Sequence, residues 1–381
     1  MANPLGFSSN IIKNKCFISS FTSKYLATIG YVCSKNIFDN KCGTCIIILP
    51  GLTGFAIPFV EWFFDLYNVN TCIVSFDYRG FGLSGYKDPV NITYEGINID
   101  TMAIDMHNLY TLLNLQSKRV FILAHSYGVL VGYNCLNNYN ISNICGFISI
   151  EESLINVPQK NASDTTYHLP PTFSWSNVEK WINKYQTYSP TKGYYLVNEA
   201  LLEQFIVPGF AMTKKELNEW MQYTTNINGN VLALAFKDAM MADYAYMVDS
   251  IFVKNNIPMF IYSGLGSITP SETQIWIYDK VSYNKLSKLL VIPANQGGYH
   301  TPFLPSSISR NILLKNIHTY IKNINNSLLH IDNSLYYTKM LRQKRGVSKN
   351  GKKIKYIRYE TKKKGKNKFN KHSHKRSHKK Y

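Results

Sequence analysis

Ser126 is the residue of this chain whose surroundings most plainly suit chemistry. It stands in Ala124-His125-Ser126-Tyr127-Gly128, between a run of strand character, Arg119–Ala124, and an apolar run of helical character, Val129–Asn137. A serine on a tight strand-to-helix turn is pushed clear of the sheet and sits at a helix N-terminus. There the freed backbone N–H of the next residue, here Tyr127, can meet a developing oxyanion. Such a turn brings backbone segments close together, so small residues are needed two before and two after the serine, and Ala124 and Gly128 supply them. A serine so presented attacks acyl carbonyls, which implies an ester, thioester or amide substrate. The plainer alternative is that Ser126 only caps the helix that follows it. A nucleophilic serine needs a base, and His300 is suited to that role: it follows the last strand candidate after Gly297-Gly298 and precedes the last long helix. His125 is expected to point away from the site, and His107 and His318 to sit structurally within helix patterns.

The elements that must position these residues alternate along the chain. Two β-rich segments, around Lys15–Ser20 and Lys24–Cys33, precede the strand candidates Thr44–Leu49, Thr71–Phe76, Arg119–Ala124, Gly146–Ile150, Ile257–Tyr262 and Lys288–Ile292. Helix candidates lie near Val60–Tyr67, Ile97–Leu115, Tyr127–Asn137, Ser271–Asp279 and Ser306–Ile324. Short apolar strands alternating with longer amphipathic stretches predict parallel βα units, hence the α/β class. The alternation stops between Ser153 and about Lys254, where helical segments broken by Pro and Gly carry Trp175, Trp181, Tyr185, Phe205 and Trp220. The expected organisation is a core over 1–152 and 255–325, a helical insertion lying over the sheet at 153–254, and a flexible tail at 326–381.

Two further segments give these motifs a family context. Leu49-Pro50-Gly51-Leu52-Thr53-Gly54 follows one buried strand, and Phe76-Asp77-Tyr78-Arg79-Gly80-Phe81-Gly82-Leu83-Ser84-Gly85 follows the next. With Ala124–Gly128 and Gly298-Tyr299-His300, they resemble the α/β-hydrolase superfamily in residue type, order and spacing over about residues 15–325. The resemblance implies a mostly parallel sheet flanked by helices, with a helical cap. It also implies that Ser126 is the nucleophile, that His300 is the general base, and that the backbone N–H groups of Leu52 and Tyr127 form the oxyanion hole. Pro50 stands where many members have His, a departure that leaves the backbone donor in place. Asp77 and Arg79 are expected to hold a loop by hydrogen bonding and ion pairing.

The family pattern breaks at the acid that should fix the imidazole tautomer. Most relatives carry it after the strand that follows the insertion, but Ser263-Gly264-Leu265-Gly266-Ser267-Ile268-Thr269-Pro270 has no carboxylate. Some members, certain haloalkane dehalogenases among them, place the acid at the end of an earlier strand. The similar position here is Glu151, after Gly146–Ile150, with Glu152 pointing elsewhere. The alternative is a solvated Glu151–Glu152 pair opening the insertion. Dehalogenases and epoxide hydrolases carry Asp at the elbow, so Ser126 argues against both. The expected function is therefore a serine hydrolase, esterase- or lipase-like, acting on a small acyl substrate through Ser126, Glu151 and His300 without a metal or cofactor. A proline-releasing aminopeptidase is similar in the Asp77–Ser84 segment, although the insertion's Glu199, Glu203, Glu216 and Glu219 form no legible amine site. A catalytically impaired binding protein is the reading from another class.

Composition bounds the rest. The 381 residues are 45% hydrophobic and 17% charged, which excludes disorder over most of the length. The net charge of +19 divides unevenly: from Lys339 to Tyr381 there are 19 bases and one acid, leaving 42−19=23 bases and 23−1=22 acids before them. The body is thus nearly neutral, and the tail is a polycation suited to nucleic acid or an anionic surface, with nuclear association as one consequence. Seven scattered cysteines, Cys42 and Cys45 in a lone CxxC, predict a reducing compartment and no zinc site. No leader pattern opens the chain and no apolar run reaches the ~18 residues of a membrane span, so an intracellular, non-secreted protein is expected. Oligomeric state and acyl substrate leave no trace in the sequence.

Overall fold

The computed structural model describes residues 10–24, 27–85, 96–152, 171–186, 212–224 and 227–346, with short pieces at 154, 169, 188–189, 194–195 and 209. The chain divides into two compact units, Met1–Leu329 and His330–Tyr381. In the second unit the described part is helical backbone through Gly346, and residues 347–381, most of the expected tail, lie outside the described residues.

The first unit is built on an eight-stranded sheet. Its strands are β1 (Cys16–Thr22), β2 (Thr28–Ser34), β3 (Thr44–Leu49), β4 (Thr71–Phe76), β5 (Arg119–His125), β6 (Ile144–Ile150), β9 (Met259–Gly264) and β10 (Lys288–Ile292). A separate two-residue hairpin, β7 (Tyr188–Ser189) with β8 (Tyr194–Tyr195), lies in the insertion. The sheet order is β1-β2-β4-β3-β5-β6-β9-β10. The β1–β2 and β2–β4 pairs are antiparallel, and all the others are parallel. Helices on both faces explain why β3 and β4 are buried along their whole length, where an antiparallel strand open on one side would alternate. This is the mostly parallel, helix-flanked α/β architecture expected from the sequence.

Register sets the site. Ala124 of β5 pairs with Ser149 of β6, and His125 with Ile150. The next residues along these neighbouring strands are Ser126 and Glu151, so both leave the same edge of the sheet side by side.

Helix limits follow from local hydrogen bonding. The helix Ile99–Leu112 is shorter than the expected Ile97–Leu115 because Asn98 and Thr101 form a reciprocal capping box at one end. At the other end Asn114 turns left-handed, with φ 49°. The helix expected near Val60–Tyr67 instead spans Ala56–Trp62. It starts early because the Asp77 carboxylate accepts the Ala56 N–H at 2.6 Å, and Pro58 falls in the first turn, where no N–H is required. The last helix, Arg310–Gly346, runs beyond the expected end at Ile324.

The described part of the insertion contributes helices Trp175–Tyr185, Lys214–Thr224 and Gly229–Met241. Tyr185 packs edge-on against Phe236, with ring centroids 5.7 Å apart. Among the described residues, no helix is long and apolar enough to cross a membrane.

Candidate active site

Ser126 follows β5 and stands at the N-cap of the helix Tyr127–Asn138 with φ 49° and ψ −127°, a conformation costly for any residue bearing a Cβ. Its side chain makes no capping bond to that helix. The turn is held from beneath, where the Ser126 N–H donates to the Ile150 carbonyl at 2.9 Å. Gly128 is required by contact, since a Cβ there would lie 2.4 Å from the Leu49 carbonyl oxygen. That close approach brings the Pro50–Gly54 loop, with Leu52, against the start of the helix, with Tyr127. The Tyr78 hydroxyl steadies the same loop by donating to the Pro50 carbonyl at 2.8 Å.

Asp77 and Arg79 occupy the holding roles expected of them. Asp77 accepts the Ala56 and Leu83 N–H groups at 2.6 and 2.8 Å; burial raises its pKa to about 7 against the pull of these bonds. Arg79 makes a fully buried, two-pronged ion pair with Asp105, each contact 2.7 Å.

Glu151 turns out of β6 with φ 55° and is 1% exposed, so it is not one of a solvated pair. One carboxylate oxygen accepts the N–H of Gly264, at the end of β9, and the other lies 3.9 Å from His300 Nδ1. This is ion-pair range, beyond hydrogen-bond distance. The hydroxyls of Ser267 and Thr269 each lie 3.5 Å from the same nitrogen. The loop that lacks a carboxylate thus presents two hydroxyls to the imidazole, and Glu151 reaches it from the neighbouring strand. Burial raises the Glu151 pKa to about 8, opposed by the Ser267 hydroxyl, the Gly264 N–H and the Thr269 hydroxyl. Burial also lowers that of His300 to about 3. Both shifts favour the uncharged forms in the resting site.

Ser126, His300, Leu52 and Tyr127 line one pocket, a cleft of about 740 Å³ counting its space open to solvent. Trp220, Phe236 and Met240 of the insertion give it an apolar wall. Two residues read otherwise from the sequence also line it: Glu152, which is 5% exposed, and His125. His107, by contrast, stacks on Tyr139 with centroids 4.2 Å apart, away from the pocket. Among the described residues, no group of three or more His, Cys, Asp or Glu could hold a metal. Cys42 and Cys45 of the CxxC are buried free thiols.

The insertion also grips the loop that carries His300, a role not legible from composition. The His300 N–H donates to the Gly209 carbonyl at 2.9 Å. Glu216 accepts from the Ser306 N–H and hydroxyl at 2.9 and 2.6 Å, and from the Thr213 N–H and hydroxyl at 3.0 and 2.7 Å. Burial raises the Glu216 pKa, but these hydrogen bonds outweigh it and the net shift is downward. The Thr213-x-x-Glu216 spacing of a capping box was the available signal for this residue. Glu219 makes an exposed pair with Lys215, and Glu199, Glu203 and Phe205 lie outside the described residues.

No protein-family model and no curated protein sequence matches this chain. Solved structures do. An esterase from Exiguobacterium antarcticum is similar with a TM-score of 0.62 at 15% identity, covering 80% of this chain and 100% of its own. A bromoperoxidase from Bacillus anthracis gives 0.60 at 16%, covering 80% and 100%. MenH from S. aureus gives 0.54 at 14%, covering 77% and 98%. These likenesses, together with the sheet order, show that the chain has the α/β-hydrolase fold.

Proposed function

We propose that the protein is a serine hydrolase that cleaves an ester bond of a small acyl substrate. The observation that carries this reading is the approach of the buried Glu151 carboxylate to His300 Nδ1, on the wall of a pocket that Ser126 also lines. A loop stripped of its carboxylate would by itself suggest a lapsed enzyme. An acid arriving from β6 argues that the requirement is met from another strand.

In this mechanism Ser126 Oγ attacks the acyl carbon while His300 Nε2 takes its proton. Glu151 holds the Nδ1–H tautomer and stabilises the imidazolium as it forms. The N–H groups of Leu52 and Tyr127 bind the oxyanion, each worth roughly 10²–10³ in turnover. His300 returns the proton to the leaving alcohol, and a water activated by His300 then releases the acid. The 3.9 Å separation suits a resting site, because such contacts often tighten only when substrate is bound. Thioesters and amides are open to the same chemistry.

A fluorophosphonate probe is expected to label the wild type and not Ser126→Ala, and a folded wild type that resists labelling would end the enzyme reading in favour of a binding protein. Glu151→Gln should lower kcat on a short-chain nitrophenyl ester by roughly 10²–10⁴. Glu152 on the pocket wall favours one second reading, an aminopeptidase, because a carboxylate there could meet a substrate amine. Release of arylamine from aminoacyl arylamides faster than alcohol from simple esters would select it.

A further inference from the structure

His125 is used by nothing in the mechanism above, yet its ring lies against that of His300, with centroids 4.8 Å apart, and its backbone adjoins Ser126. It is the last residue of β5 and precedes Ser126 in the chain. Its Nε2 lies 2.9 Å from the backbone carbonyl oxygen of His300. A carbonyl only accepts, so Nε2 carries the proton of this bond. Among the described residues, nothing hydrogen-bonds Nδ1, which is buried. A second proton there would leave an unpaired charge in an apolar setting, so the ring is the neutral Nε2–H tautomer. Phe303 meets this ring edge-on with centroids 4.8 Å apart, and Phe59 lies at 5.9 Å, which fixes its plane. On its other side the ring fills the space where a Cβ of Gly51 would stand, 2.8 Å from Nδ1, directly before Leu52.

We propose that His125 is a positioning residue whose Nε2–H, donated to the His300 carbonyl, sets the distance between the general-base loop and Ser126. The inference rests on the reading of Ser126 and His300 given above. The imidazole of His300 hangs from a backbone held at its N–H by Gly209 and at its carbonyl by His125. Because His125 and Ser126 are adjacent in the chain, the second hold references the base directly to the nucleophile. A misplacement of about 1 Å between reacting groups can cost on the order of 10²-fold in rate. This is the scale at which losing the bond should be felt.

The test compares His125→Phe, which keeps a ring but loses the donor, with His125→Gln, whose amide N–H can reach the same carbonyl. His125→Phe is expected to lower kcat on a short-chain ester about 10–100-fold with KM nearly unchanged. His125→Gln, at a matched melting temperature, should recover to within about threefold of wild type. Equal losses in both variants, or wild-type kcat in a folded His125→Phe, would overturn the proposal. A readout independent of turnover is nitrogen NMR of the wild-type imidazoles, where His125 should appear as a neutral Nε2–H form with a slowly exchanging proton. An Nδ1–H form, or rapid exchange, would overturn it even if both variants failed to fold. A wild type that neither turns over ester nor reacts with fluorophosphonate, while showing the expected His125 signal, would refute the hydrolase reading and not the hydrogen bond.

Discussion

Glu151 is a carboxylate whose surroundings resist its charge, and that has a measurable consequence. In the proposed mechanism it must be ionised to stabilise the imidazolium, while burial holds its pKa up at about 8. Ester turnover should therefore rise with pH through the neutral range, with a midpoint near 8. His300, its own pKa lowered to about 3, is already an unprotonated base across that range. A pH–rate profile with its midpoint below 6, unchanged in Glu151→Gln, would contradict this. The sign for stability is opposite. A folded-state pKa raised above the unfolded value means that the folded protein holds the proton longer, so Glu151 lowers stability as pH climbs from about 4.5 towards 8. Glu151→Gln should then unfold at a higher temperature than wild type at pH 8 and above, and scanning calorimetry at two pH values reads this directly. Little of this environment was legible in advance. The sequence suggested which residues might meet, because Ser126 and Glu151 each end an apolar run. It held no sign of the Ser267 and Thr269 hydroxyls beside His300, which depend on how β9 and the following loop pack.

At the scale of elements, the elbow depends on contacts between backbones. In Gly128→Ala the new methyl would meet the Leu49 carbonyl and push the helix Tyr127–Asn138 away from the Pro50–Gly54 loop. Loss of turnover with a destabilisation of at least about 2 kcal/mol is expected, measured by denaturant unfolding. The grip of the insertion on the base loop gives a second case. Removing the Glu216 carboxylate cuts the bonds that tie Ser306 to Thr213 and leaves these exposed donors to water, so Glu216→Ala should cost about 1 kcal/mol and speed amide exchange across residues 300–309. Wild-type exchange there would show that the clamp does not hold the loop. Strands were the more legible elements: Thr44–Leu49, Thr71–Phe76 and Lys288–Ile292 fall where their apolar runs begin and end. Helix starts were less so, because the helix at Ala56 is fixed by the Asp77 carboxylate from another part of the chain. No local pattern carries that information.

For the whole molecule, the charge arithmetic separates two properties that a single net charge confuses. Residues before Lys339 carry 23 bases and 22 acids, and every proposed site residue lies among them. A chain ending at residue 338 should retain ester turnover within about twofold and lose salt-sensitive retention on heparin or single-stranded RNA, whose binding falls steeply as counterions compete. Unchanged retention after the deletion would assign it to the body. The body, in turn, is less modular than its layout suggests. An insertion that supplied only a pocket wall would be an exchangeable part, and a different one could be grafted to alter substrate preference alone. Here the same segment carries the Gly209 carbonyl that holds the His300 backbone and the Glu216 carboxylate that anchors Ser306. On the proposed mechanism, selectivity and reactivity would therefore share their fastenings, and a graft chosen for a new substrate would have to rebuild the support of the His300 loop as well.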